Sequence, residues 1–137
     1  MHIKKDGYYT LKKEVSEKVY EIKIPVTGEQ IENIVVTALE GGIGYWAALD
    51  NTKPEWADKP DSMPVSQYAV ELLLKGVRLE FSDVEDETIM YLDLDKLLDG
   101  IRVTAVKQSW DFDFEEIDSI IADCIFQYGM FGEIIYS

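Results

Sequence analysis

The apolar positions of this chain follow two periods, and the switches between them mark its elements. Val19-Tyr20-Glu21-Ile22-Lys23-Ile24 alternates with period two, as a half-buried strand does. Gly7 through Leu11 is expected to pair with it as a hairpin. At Thr27 the period lengthens: Ile31, Ile34, Val35, Ala38 and Leu39 fall at i, i+3, i+4, i+7 and i+8, the buried stripe of an amphipathic helix. Gln30 follows Thr27 by three residues, a capping box, and Gly41-Gly42 is expected to close the helix as a left-handed C-cap. Ile43 through Leu49 reads as either an extended segment or a short helix. Residues 50–63 are polar and broken by Pro54 and Pro60, so a long exposed loop carrying Trp56 is expected.

A second helix is predicted over 63–75, with Ser62 as cap, Pro64 in its first turn and Val65, Tyr68, Ala69, Leu72 and Leu73 on one face. Gly76 stops it. Residues 77–81 and 88–92 alternate as the two arms of a hairpin around the acidic turn 83–87. Asp93 or Asp95 then caps a helix holding Leu97, Leu98 and Ile101, which Gly100 interrupts. The last helix is predicted to start at Asp113, with Glu115 and Glu116 in its first turn. Its stripe is Ile117, Ile120, Ile121, Cys124, Ile125 and Tyr128, its end lies at Gly129 and Gly132, and Ile134-Ile135-Tyr136 reads as a closing strand. The expected fold is therefore α+β: one domain over residues 1–137, with three or four helices on a small, mainly antiparallel sheet.

Charge changes the picture more than composition does. The 137 residues carry 13 basic and 27 acidic side chains, a net charge of −14. Residues 1–23 hold six lysines against four acids; residues 24–137 hold seven basic residues against 23 acids. Direct binding to a phosphate backbone is not expected of such a chain. With 47% apolar residues and 16 aromatics it is too rich in core material to be a disordered acidic tail. It has no run of ~18 apolar residues, so no membrane span is expected. Met1 through Asp6 lacks the apolar core of a signal peptide, which points to an intracellular, cytoplasmic protein.

Candidate chemistry is sparse. One cysteine, Cys124, excludes an internal disulfide, and His2, the sole histidine, sits at a terminus where a general base is poorly held. Gly41-Gly42-Ile43-Gly44 follows a helix rather than a strand and lacks a Gly-Lys-Ser/Thr continuation, so it reads as a turn and not as a phosphate loop. Asp93-x-Asp95 and Asp111-x-Asp113-x-Glu115 open like calcium loops. Their sixth positions are Leu98 and Glu116 and their twelfth are Thr104 and Ala122, so both fail, and neither metal nor cofactor is expected. Tyr45, Trp46, Trp56 and Trp110 are candidates for an aromatic surface, with Tyr45 or Trp46 equally readable as core. Trp56, in its polar loop, is taken as an interface anchor.

Two segments carry a resemblance. Val36-Thr37-Ala38-Leu39-Glu40-Gly41-Gly42-Ile43-Gly44-Tyr45-Trp46 and Ala122-Asp123-Cys124-Ile125-Phe126-Gln127-Tyr128-Gly129-Met130-Phe131-Gly132-Glu133-Ile134-Ile135-Tyr136 resemble the signature segments of short proteins encoded by phages and mobile elements of Gram-positive bacteria. Leu73 to Leu92 resembles the helix end and hairpin between them. Gly44 stands where members often carry Asn, and Gly129-Met130 where they often carry Ala-Leu. The resemblance implies an accessory gene, a class that frequently blocks host defences such as CRISPR nucleases and restriction enzymes.

The leading expectation is thus a non-enzymatic inhibitor that binds a bacterial defence protein, such as a Cas nuclease, in a basic groove. Its contact surface is assigned to Asp83, Glu85, Asp86, Glu87, Asp93, Asp95, Asp111, Asp113, Glu115, Glu116 and Trp56. Two alternatives stand beside it. One is a small-molecule or nucleotide-signal binder whose pocket gathers Glu40, Tyr45, Trp46, Asp123, Gln127 and Glu133. The other is a carboxylate-metal hydrolase. A homo-oligomer remains open.

Overall fold

The computed structural model describes the backbone of residues 4–5, 8–15, 18–108 and 112–137, and the side chains of residues 25–108 and 112–137. His2, Gly7, Trp110 and Asp111 lie outside the described residues. Two antiparallel sheets and four helices make up an α+β fold.

The first sheet holds β1 (Lys4–Lys5), β2 (Tyr8–Val15) and β3 (Lys18–Thr27) in that order, with Leu11 opposite Ile24 and Tyr8 opposite Thr27. The expected hairpin is present and longer than its alternation alone suggests. Strand β3 runs directly into helix α1 (Gly28–Thr37) through the predicted capping box. The Thr27 hydroxyl accepts from the Gln30 N–H at 3.1 Å, and the Gln30 side-chain oxygen accepts from the Thr27 N–H at 2.9 Å.

Helix α1 does not end on a left-handed glycine. It widens into a π-turn over Ala38–Gly42, and the Ile43 N–H closes it on the Ala38 carbonyl at 3.0 Å. Gly42 is needed for proximity instead: a Cβ there would sit 2.9 Å from the backbone oxygen of Ser119. A turn over residues 43–46 follows, then the short strand β4 (Ala47–Leu49), so only the second half of the ambiguous stretch is extended.

Strand β4 is the edge of the second sheet, followed by β5 (Leu79–Asp83) and β6 (Ile89–Leu92). Phe81 pairs with Leu49 on one side and Met90 on the other. The 50–63 segment is more ordered than expected. It contains a 3₁₀ turn at Pro54–Trp56, and the Lys59 ammonium donates to the carbonyls of Pro60 and Met63. Helix α2 (Val65–Leu74) is capped by the residue Pro64 rather than by the Ser62 side chain.

Helix α3 (Leu94–Gln108) passes through Gly100 without a break, which corrects the expected interruption. Its partner is α4 (Ser119–Phe131), and the two backbones touch. A Cβ at Gly100 would collide with the carbonyl oxygen of Ile125, and a Cβ at Gly129 would lie 2.5 Å from the carbonyl oxygen of Lys96. Glycine therefore sits inside both helices because nothing larger fits, and Gly129 does not end α4. Gly132 does, with φ +76° at the position after the last helical residue.

The start of α4 also differs from expectation. Asp113 caps a separate 3₁₀ turn, Phe114–Glu116, whose Phe114 packs edge-on against Phe112. Ile117 is extended, so the helix restarts with Asp118, whose carboxylate accepts from the Ile121 N–H at 2.8 Å. The buried face of α4 is Ala122, Ile125, Phe126 and Gln127, about one residue's rotation from the predicted stripe. The glycines explain the rotation: Gly129 and the Ile125 backbone lie on the side that meets α3 at Lys96 and Gly100. Phe126 then meets Phe81 edge to face, centroids 6.2 Å apart, joining α4 to the second sheet. Residues 132–137 form no strand; they turn back along α4.

Overpacking a core typically costs 1–3 kcal/mol. Gly100→Ala is therefore expected to lower unfolding stability by about 3 kcal/mol. Gly28 has open space around it, so Gly28→Ala should leave stability unchanged or raise it by about 0.5 kcal/mol. Urea denaturation of both variants measures the contrast.

Candidate functional site

Of the six residues assigned to a polar pocket, four meet. The π-turn after α1 delivers Tyr45 and Trp46 to the flank of α4, where Asp123 and Gln127 stand one helical turn apart. The Asp123 carboxylate collects three donors. Its Oδ2 accepts from the Tyr45 hydroxyl at 2.5 Å; its Oδ1 accepts from the Trp46 indole N–H at 2.8 Å and from the Gln127 amide at 2.9 Å. Trp46 and Gln127 are each 1% exposed, so their two bonds are partly shielded from water, whereas the Tyr45 bond lies at the surface.

Gln127 also holds the C-terminal segment. Its side-chain oxygen accepts from the backbone N–H groups of Ile135 and Tyr136, both at 2.8 Å, and its amide donates to the Tyr136 carbonyl at 3.1 Å. One glutamine thus does what a neighbouring strand would do, and this is why Ile134-Ile135-Tyr136 needs no sheet. The Tyr136 ring stacks on Trp46, centroids 4.7 Å apart and planes within 8°, and its hydroxyl donates to Asp83 Oδ2 at 2.5 Å. Asp83 Oδ1 accepts from the N–H groups of Glu85 and Asp86 and so shapes the β5–β6 turn. Residues 132–137 are thereby strapped across Trp46 from α4 to the second sheet.

Glu40 and Glu133 stand apart. Glu40 accepts from the buried Ser66 hydroxyl at 2.5 Å, beside a separate cavity of about 410 Å³. Glu133 is exposed beyond Gly132. Tyr136 and Asp83, the latter assigned above to the acidic surface, are the members of this network that sequence reading did not place in it. Tyr136 ended the second signature segment and was the available signal.

The acidic surface is likewise split. Glu85, Asp86 and Glu87 are exposed at the β5–β6 turn, as are Asp95, Glu115 and Glu116. Asp83 is buried and engaged with Tyr136. Asp93 caps α3 by accepting from the Lys96 N–H at 2.8 Å, and Asp113 accepts from the Glu115 N–H. Trp56 is not an exposed anchor. It is 7% exposed and packs on Tyr68 at 5.5 Å, because the 3₁₀ turn folds its ring under the loop.

The hydrogen bonds of this network shift the groups they join. Burial, with the Asp123 hydrogen bond next, pushes the Tyr45 phenol up to about 12. The Asp83 hydrogen bond, with burial next, pushes Tyr136 up to about 12. The same Tyr136 bond and the turn N–H groups hold Asp83 below its ordinary value, and burial raises the Cys124 thiol. Among the described residues, no three His, Cys, Asp or Glu side chains gather as metal ligands, and no helix is long and apolar enough to cross a membrane. Comparison with protein-family models, curated proteins and solved structures returns no match for this chain.

Two outcomes are expected. Gln127→Ala removes the strap's anchor and a donor to Asp123, and should cost about 2–4 kcal/mol in urea unfolding, whereas Glu133→Ala should stay within about 0.5 kcal/mol. The pH dependence has two arms. The tyrosines' folded pKa values lie above their ordinary 10.0, so their contribution is complete below pH 10.0 and is lost as pH rises toward about 12. The folded pKa of Asp83 lies below its ordinary 3.8, so its contribution is present above that pH and is lost as pH falls further. Thermal melts across pH should show both losses, and Tyr136→Phe should shrink each of them.

Proposed function

We propose that this chain is a non-catalytic accessory protein of phage or mobile-element origin. It inhibits a nucleic-acid-handling defence protein, such as a CRISPR nuclease, in the cytoplasm of a bacterial host. It does so by setting an acidic surface into a groove that normally receives phosphates. The observation that carries this reading is where the cations go. After residue 23 the seven basic residues face 23 acids. Lys59 and Lys96 donate to backbone carbonyls, Arg78 lies over the Tyr91 ring and Lys107 over the Tyr128 ring. Lys53 pairs with Asp50 and Glu80. Among the described residues, Glu85, Asp86 and Glu87 have no cation paired with them, and they stand together at an exposed turn.

A basic groove is attracted to such a surface over several ångströms, which speeds encounter and makes it sensitive to salt. The small-molecule alternative is less favoured, because Tyr45, Trp46, Asp123 and Gln127 bond mainly to one another and to the strap. The two signature segments, with their resemblance to phage and mobile-element proteins, support the same setting.

The test is binding of the purified chain to a CRISPR effector nuclease and to a restriction endonuclease at low salt. Binding should compete with DNA. The triple variant Glu85→Lys, Asp86→Lys, Glu87→Lys should weaken it about 10-fold or more, mainly through slower association. Absence of affinity for either class at low salt overturns the reading; equal affinity of the triple variant overturns the role of this turn.

A further inference from the structure

The apolar period of α4 is wider than the face that its core neighbours cover. Ala122, Ile125 and Phe126 are buried, while Ile120 is 72% exposed and Cys124 only half-buried. This uncovered half of the stripe faces other uncovered apolar groups. Tyr45 is 51% exposed and Ile134 40% exposed, and together with Gly41, Ile120, Cys124 and Asp123 they line an open groove of about 550 Å³ between the start of α4 and the C-terminal strap. A groove of that size takes the side chains of one or two helical turns.

Its charge selects the occupant. Among the described residues, no lysine or arginine lines it. Asp123 is in its wall, and the exposed Asp118 and Glu133 directly precede the lining residues Ser119 and Ile134. Asp118 and Asp123 both act electrostatically on Cys124 in the groove. A second copy of this chain docked here face to face would bring like charges together, which disfavours it. A segment that is apolar on one face and basic on its flanks satisfies both features.

We infer that this groove docks a basic amphipathic segment of the partner, seated on Ile120, Ile134 and Tyr45 with its cations toward Asp118, Asp123 and Glu133. The inference rests on the basic partner proposed above and adds to it the apolar contact that long-range charge alone does not supply.

The test uses two synthetic probes of equal length and charge: an amphipathic Leu/Lys helical peptide and a Ser/Lys peptide. At about 0.15 M salt, where exposed charges are screened beyond ~8 Å, the Leu/Lys peptide should bind about 10-fold more tightly than the Ser/Lys peptide. Ile120→Ser and Ile134→Ser, both at exposed sites, should remove that preference. The Leu/Lys peptide should also slow maleimide labelling of Cys124, the chain's one thiol. Equal binding of the two peptides, indifference to Ile120→Ser, or unchanged labelling of Cys124 at saturation overturns the proposal. Self-association of the free protein that Ile120→Ser abolishes overturns it in favour of a second copy. No nuclease enters these measurements, so their failure is separate from failure of the turn variants against a nuclease.

Discussion

A carboxylate that accepts from several donors ties together the elements that supply them. Asp123 does so from three directions. Tyr45 and Trp46 arrive from the turn after α1, and Gln127 from the next turn of α4 itself. The acid therefore fixes the relative placement of α4 and the α1–β4 connection, and through Gln127 that of the last residues of the chain. Hydrogen bonds to an ionised acceptor are stronger than neutral ones, and this suits a carboxylate for such a junction. The Tyr136–Asp83 bond repeats the arrangement at the other end of the strap, so a second acid ties the same segment to the β5–β6 turn.

That junction depends in turn on backbones coming close enough. Gly42 lets the π-turn lie against Ser119, and without that approach Trp46 would not reach Asp123. Gly100 and Gly129 let α3 and α4 touch along the opposite side of α4. Helix α4 is thus gripped from two sides at positions where a methyl group would collide with backbone oxygen. The extra residue accommodated by the π-turn advances the chain without breaking the helix, and this aims Tyr45 and Trp46 at the same acid.

Local chemistry was legible in the sequence, and distant contacts were not. The capping box at Thr27, the hairpin around residues 83–87 and the helices α1 and α2 follow from patterns that act within a few residues, and the fold class followed from them. Glycine was misread three times for one reason. At Gly42, Gly100 and Gly129 its value is the absence of a side chain against a remote backbone, which looks in sequence like a helix breaker. The α4 stripe was displaced because Gly129 carries no apolar side chain yet lies on the face that meets α3. Trp56 was placed outside because its neighbours are polar, although one 3₁₀ turn is enough to fold its ring onto Tyr68. The grouping of Tyr45, Trp46, Asp123 and Gln127 was legible because the two signature segments both concentrate polar and aromatic residues. Asp83 and Tyr136 are 53 residues apart, and nothing local links them.

The acids divide into two populations by what their oxygens hold. Asp83, Asp93, Asp113, Asp118 and Asp123 are aspartates, short side chains that reach nearby N–H and O–H groups and shape turns, caps and the strap. Glutamate is more frequent among those facing solvent, as at Glu85, Glu87, Glu115, Glu116 and Glu133, where a longer side chain has little to cap. Folding explains the first population completely. It does not require the second, whose mutual repulsion opposes the compact state. Among the described residues, Lys59, Lys96, Arg78 and Lys107 lie on carbonyls and tyrosine rings, and Lys53 pairs with Asp50 and Glu80. The basic partner proposed for the exposed turn and the basic amphipathic segment proposed for the groove have the same charge, so the two proposals join the surplus acids of the chain to the exposed half of α4.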